Sequence, residues 1–185
     1  MSQSQSQAAG AMSAKRLMDM KVVDSQGKDL GEIDEVVLDL HNARVHAAVL
    51  ASGGFLGLGE KHYAFPISEF KPGKERNRLT LNVDKQKLED AQGFEKSKWP
   101  AMDDEYWGRV GSRGKAGAGA SQQGKKLNLV RASEIIGQEV QDKSGQELGE
   151  VSDIRLNAAS GRIQHIVLDV KDAGQATVQP KSLSM

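Results

Sequence analysis

The sequence predicts an all-β protein built from two related units, of which the second is incomplete. Three observations predict this fold class: an internal repeat, β-branched runs separated by turn sequences, and a Gly/Ala-rich segment between the two units. A chain of 185 residues is long enough for one ordinary domain or two small ones. Hydrophobic residues make up only 38% of it and aromatic residues 4%, which indicates lean cores. We therefore expect two small antiparallel β-barrels, with short helices and a flexible linker.

The repeat relates residues 22–50 to residues 140–168 without a gap. Gly27 aligns with Gly145, so the interval is 145 − 27 = 118 positions. Identities recur along the whole window, and most other pairs keep their chemical character. Chance does not produce a gapless match of this length, so the chain contains two copies of one unit.

Each copy has the pattern of an antiparallel meander. A turn containing Asp and Gly is followed by a β-branched run, a second turn and another β-branched run. Within the first run, the step from Ile33 to Val36 breaks the period of two that a regular strand requires. This step predicts a β-bulge at Asp34 and Glu35.

Copy one continues beyond the repeated window, whereas copy two lacks most of this continuation. A long loop at residues 53–59 precedes a strand at 61–65, and a second strand is predicted at 78–83. Asp84 is a suitable N-cap for a helix through residue 90. Because copy two has no counterpart of the 78–83 strand, we expect its open edge to pair with copy one or with a second protomer.

The composition divides the chain into four segments. We expect a disordered N-terminus at residues 1–14, a first barrel at 15–110, a linker at 111–126 and a second, incomplete barrel at 127–185. The N-terminus has no basic start followed by an apolar stretch, which favours the cytoplasm. The alternative is an exported protein from which a signal peptide was removed. No apolar run is long enough for a membrane span.

The linker and its flanks carry a local excess of positive charge, although the whole chain has 25 basic and 25 acidic residues. The basic residues that could contact RNA or another anion are Arg113, Lys115, Lys125 and Lys126. A solvated tether explains them as well as a weak, salt-sensitive binding site does. Zero net charge argues against a nucleic-acid partner for the chain as a whole.

The order of motifs in copy one resembles one known family. The motifs are the turn and strand at 27–33, the loop at 53–59, Ala64-Phe65-Pro66, the strand and helix at 79–88, and a tail containing Phe94, Trp99 and Trp107. Together, residues 20–108 resemble a PRC-barrel domain, the module of the photosynthetic reaction centre H subunit and of the ribosome maturation factor's C-terminal half. Residues 129–183 resemble only its first part. The resemblance implies a non-enzymatic module that docks on proteins or ribonucleoprotein.

Motifs for catalysis or for cofactors are weak throughout. The glycines at 54–59 precede a strand, whereas a phosphate-binding loop would open a helix. The four histidines (His41, His46, His62 and His165) are interpreted as exposed turn residues, because no complete ligand set accompanies them. The carboxylates that cluster around Glu35 and Asp153 are interpreted as solvated charges that discourage edge pairing. We predict no catalytic residue, no metal and no cofactor.

The aromatic residues are the most informative candidates for a site, since all eight lie between positions 55 and 107. Aromatic side chains contribute strongly to cores and to interfaces. The candidates for partner binding are Phe55, Leu56, Leu58, Trp99, Tyr106 and Trp107. The predicted function is a non-catalytic interaction module for a protein partner or a larger assembly, and the alternative is an RNA- or ribosome-associated module that uses the basic linker.

Overall fold

Two curled β-sheets, each built around one copy of the repeat, form half-barrels that lie against each other. The structure, a computed structural model, describes residues 11–53, 59–90, 93–113 and 127–180. Within these ranges, only the backbone is described at residues 85, 89, 90 and 111–113. The predicted all-β fold, with short helices, is confirmed.

The copy-one sheet has the strand order β5-β4-β3-β2-β7-β6, and β8 pairs with β3. All of its neighbouring strands are antiparallel except β2 and β7, which are parallel. Its strands are β2 (Lys21–Val23), β3 (Asp29–Asp39), β4 (Arg44–Ser52), β5 (Lys61–Phe65), β6 (Phe70–Pro72), β7 (Arg78–Leu81) and β8 (Leu129–Arg131).

The copy-two sheet has the order β1-β10-β11-β12, and β9 pairs with β10. Its strands are β1 (Ala11–Ser13), β9 (Glu139–Gln141), β10 (Glu147–Asn157), β11 (Ile163–Val170) and β12 (Gly174–Val178). The helices are α1 (Ala14–Leu17), α2 (Lys85–Asp90), α3 (Glu105–Arg113) and α4 (Ala132–Ile135), with 3₁₀ turns at Ile67–Glu69 and Lys96–Lys98.

The two copies exchange their first strands. β1 precedes copy one in the chain but pairs with β10 of copy two, with Met12 opposite Leu156. β8 precedes copy two but pairs with β3 of copy one, with Val130 opposite Leu38. The two pairings have the same register once 118 is added to each position in copy one, so the exchange is reciprocal.

The exchange gives the two copies a common hydrophobic core. One cluster of buried side chains includes Leu17 and Ile135 from the two exchanged segments, Ile33 from copy one and Ile154 from copy two. Each is at most 2% exposed. Neither sheet therefore encloses its core alone, and each copy completes the other.

The bulge predicted at Asp34 and Glu35 is confirmed by a register shift between Ile33 and Glu35, and β10 has a shift at the equivalent place. The predicted N-cap is also confirmed, because the amide of Lys87 donates to the Asp84 carboxylate at 2.7 Å.

Two predicted segment boundaries need correction. Residues 11–14 were expected to be disordered, but β1 and the start of α1 occupy them because Met12 and Ala14 pack with copy two. The linker was expected from residue 111, but α3 continues to Arg113. Residues 1–10 and 114–126 lie outside the described residues.

Candidate interaction surfaces

Two carboxylates at equivalent positions hold the exchanged segments in place. Glu35, which is 5% exposed, accepts hydrogen bonds from the hydroxyl and the amide of Ser133 at the start of α4. Asp153 accepts hydrogen bonds from the Ser13 hydroxyl and the Lys15 amide at the start of α1. The interpretation of these residues as solvated charges was wrong, because each is the acceptor that fastens one copy to the other.

The aromatic tail of copy one covers the outer face of its own sheet. Trp107 on α3 is fully buried against Val49 and Ala64, and its indole N–H donates to the Ala101 carbonyl at 3.0 Å. Four further rings pack around it and against one another, some pairs stacked and others edge-to-face. They belong to His62, Phe94, Trp99 and Tyr106. Trp107 is therefore a core residue, whereas the half-buried Trp99 and Tyr106 reach the surface.

Copy two also contributes to this aromatic cluster. Leu129 of β8 is buried in the same cluster as Trp107. The Arg131 guanidinium lies 5.2 Å from the centre of the Trp99 ring, within the range of a cation–π interaction. Arg131 also forms an ion pair with Glu134 at 2.7 Å, and this hydrogen bond holds the pKa of the Glu134 carboxyl below its ordinary value.

His62 is not the exposed turn residue that the sequence indicated. It lies within β5 and is fully buried. Its Nε2 is 3.1 Å from the Asp34 carboxylate, and its Nδ1 has no hydrogen-bond partner among the described residues. Its backbone exchanges two hydrogen bonds with Phe94, at 2.8 and 2.9 Å, so Phe94 closes the outer edge of β5.

The other three histidines occupy two different settings. His41 and His165 are exposed, as the sequence indicated. The half-buried His46 donates from Nε2 to the Trp107 carbonyl at 2.7 Å. Among the described residues, no group of three or more His, Asp or Glu side chains is placed to hold a metal ion.

The outer face of the copy-two sheet differs chemically from that of copy one. In copy one, Val37 and Ala47 lie under the aromatic tail. The residues 118 positions later are Arg155 and His165, both exposed. The copy-two sheet thus has a polar outer face, which needs no aromatic cover.

Two strand edges of copy two have no neighbour among the described residues. β9 pairs only with β10, whereas its counterpart β2 lies between β3 and β7. β12 pairs only with β11, whereas its counterpart β5 is closed by Phe94. Leu148 is 42% exposed beside β9, although its counterpart Leu30 is 4% exposed. As far as the described residues extend, copy two thus has an unpaired edge next to an exposed apolar side chain.

The edge at β9 is also acidic. Antiparallel pairing places Glu139 opposite Glu150, and Glu150 opposite Asp169, which makes a row of three carboxylates across β9, β10 and β11. Asp142 follows β9 in the adjoining turn. Hydrogen bonds from the Ser144 hydroxyl and from the Gln146 and Ser144 amides hold the pKa of the Asp142 carboxyl below its ordinary value.

Two surface clefts are lined by residues with structural roles. One, of about 240 Å³, contains Asp24 and Asp84. The Asp24 carboxylate accepts hydrogen bonds from the Gln26 and Lys28 amides at 2.8 and 2.9 Å and so stabilises the turn that follows it. Asp84 is the N-cap of α2. The other, of about 390 Å³, lies along β3 and β4 near Gly31. Neither has the enclosed, apolar character of a small-molecule site.

Several predicted site residues lie outside the described residues, namely Phe55, Leu56, Leu58, Lys115, Lys125 and Lys126. Only the backbone of Arg113 is described, at the end of α3. Their predicted roles stay predictions.

The row of three carboxylates across β9, β10 and β11 was not predicted from the sequence, because it depends on strand register. A signal for it was present in the repeat, since Glu139 aligns with Lys21 and Asp169 aligns with Ala51.

Comparison with known proteins identifies one family. The family model described as "PRC-barrel domain" matches residues 9–87 and 127–181, in agreement with two tandem copies. No curated protein matches the chain. No helix in the described ranges has the length and apolar character needed to cross a membrane.

Proposed function

Because the chain belongs to the PRC-barrel family, we propose that it is a non-catalytic module that binds another protein through copy two. In this proposal, copy one and its aromatic tail supply a structural base in which the edges of β2 and β5 are covered, and copy two supplies the docking surface. The resemblance noted in the sequence supports the same class of function, since members of this family are mostly interaction modules.

The observation that carries this proposal is the difference in closure between the two copies. The edges of β2 and β5 in copy one are covered by β7 and Phe94, whereas those of β9 and β12 have no such cover among the described residues. Exposed strand edges present unpaired N–H and C=O groups that another chain can pair with. Leu148 adds an apolar contact beside the β9 edge.

Site-specific photocrosslinking in living cells tests the proposal. A photoreactive amino acid replaces Gln141 on β9 or Gln175 on β12, and the matched control replaces Gln86, which is also exposed but lies on α2 of copy one. We expect a discrete crosslinked protein from at least one copy-two position and none from Gln86. A crosslink from Gln86 alone, or none from any of the three positions, contradicts the proposal.

RNA or ribosome association through the basic linker is the alternative function. Lys115, Lys125 and Lys126 lie outside the described residues, and only the backbone of Arg113 is described. The alternative therefore rests on the charges of these four residues in the sequence. Replacing these four residues with Ser should abolish a salt-dependent RNA affinity if this function is correct. If the unsubstituted protein does not bind RNA at low salt, this alternative function is rejected.

A further inference from the structure

Copy one shows how the edge equivalent to β9 is covered. β7 lies parallel to β2 with Arg78 opposite Lys21 and Leu79 opposite Val22, and the Lys21 amide donates to the Asn77 carbonyl at 3.2 Å. Leu79 is 2% exposed and Val22 is fully buried. A strand in which polar residues (Arg78 and Thr80) alternate with apolar ones (Leu79 and Leu81) therefore completes this side of the sheet.

In copy two, the same edge is formed but not covered by any described strand. Glu139 and Val140 of β9 take the places of Lys21 and Val22, and β9 pairs with β10 as β2 pairs with β3. Val140 is half-buried, and Leu148 is 42% exposed. The backbone and the apolar residues of copy two thus retain the shape that accepts a parallel strand.

The charges around the β9 edge indicate what kind of strand it accepts. Glu150 on β10 lies directly opposite Glu139 on β9 and directly opposite Asp169 on β11. Like charges on directly opposed residues destabilise a sheet. None of the three forms an ion pair with a described residue. The equivalent row in copy one is Lys21, Glu32 and Ala51, in which the one acid lies beside a base.

We propose that the open edge of β9 binds an extended segment of a partner protein, which lies parallel to β9 and places a basic side chain beside Glu139 and an apolar side chain beside Val140. This inference rests on the proposed docking function and specifies its partner. The segment adds a strand to the sheet, its apolar residue covers Leu148, and its basic residue relieves the repulsion within the row of carboxylates.

A peptide with the sequence of residues 74–83, KERNRLTLNV, is a suitable probe, because it contains the strand that covers the equivalent edge in copy one. Its affinity for the full chain is measured by fluorescence anisotropy at low salt. The substitution Glu139→Lys restores the residue type of Lys21 and should weaken binding about five- to tenfold, since it replaces an attraction by a repulsion. Leu148→Ser should also weaken binding, because it removes the apolar contact.

The matched control is Asp103→Lys, which changes the net charge equally at an exposed position of copy one and should leave the affinity unchanged. A control peptide with Glu in place of Arg76 and Arg78 should bind at least fivefold more weakly to the original chain. A photoreactive group in place of the peptide's Leu79 should crosslink to residues 139–148.

Any one of three peptide-binding results overturns the proposal: an affinity that Glu139→Lys does not change, equal binding of the two peptides, or crosslinks outside copy two. Concentration-dependent dimerisation that Glu139→Lys abolishes also overturns it, because a second copy of the chain would then cover the edge. A cellular crosslink from Gln175 but not from Gln141 would retain the docking function and reject the β9 edge as its site.

Discussion

Arg44 and Arg162, which occupy the same position in the two copies of the repeat, face each other in an isolated antiparallel bridge. On either side, the Val45 amide donates to the Gly161 carbonyl at 2.7 Å, and the Ile163 amide donates to the Ala43 carbonyl at 2.9 Å. The two hydrogen bonds are equivalent under the repeat, so an approximate two-fold axis passes between the two arginines. The strand exchange follows the same axis.

The exchange predicts that the linker is not needed to hold the copies together. A protease site is placed within residues 117–122, and the chain is cut there. The two fragments should remain associated through β1, β8 and the common core. Size-exclusion chromatography of the cut protein should give one peak at the elution volume of the uncut protein, and urea should separate the fragments. Separate fragment peaks in native buffer would refute an exchanged core.

The buried carboxylate of Glu35 should contribute measurably to stability. Glu35→Ala removes the acceptor for the Ser133 hydroxyl and amide, so we expect a loss of about 1–3 kcal/mol in the free energy of unfolding, measured by chemical denaturation. Glu32→Ala, on the exposed face of the same strand, should change stability by less than about 0.5 kcal/mol. Equal effects of the two substitutions would mean that Glu35 does not fasten α4.

Gly31 should tolerate no side chain, in contrast to Gly27. Gly31 has a φ of +134°, and a Cβ there would lie 1.9 Å from the Ala51 carbonyl oxygen, so Gly31→Ala should cost at least about 3 kcal/mol. Gly27 has a φ of +83° but open space around it, so Gly27→Ala should cost only about 1–2 kcal/mol. Denaturation midpoints of the two variants compare these costs, and similar values would contradict the close approach of β3 to β4.

The two tryptophans should differ in their contribution to stability. Trp107→Ala leaves a cavity in a fully buried position and should cost about 3–5 kcal/mol. Trp99→Ala should cost less than half as much, because its ring is partly exposed. Thermal unfolding of both variants measures the difference. A larger effect of Trp99→Ala would mean that the partly exposed ring of Trp99, and not Trp107 of α3, supplies most of the packing energy of the tail.

Much of the fold could be predicted because its signals are local. The turn at residues 24–27, the bulge at Asp34 and Glu35 and the N-cap at Asp84 each depend on a few consecutive residues, and the structure contains all three. The disorder expected through Ala14 was wrong, because Met12 has no strong local signal and is ordered by pairing with Leu156. A strand of three residues becomes stable only through its partner, and the local sequence does not specify that partner.

The candidate site shows the same division. His62 was interpreted as exposed because no complete ligand set accompanies it in the sequence. Its burial instead depends on Phe94, a residue 32 positions later that pairs with its backbone. Similarly, Glu35 is a surface residue by pattern and a buried acceptor in fact, because the exchanged α4 places Ser133 above it.

The sequence by itself determined the repeat, the order of turns and strands, and the family. These features follow from residue spacing and turn chemistry, which act over a few positions. Only the tertiary structure decided that the copies exchange β1 and β8, that Glu35 joins them, and that Glu139, Glu150 and Asp169 meet in one row. Each of these depends on which strand edges pair and in which register, and both are set by burying one common core between segments more than a hundred residues apart.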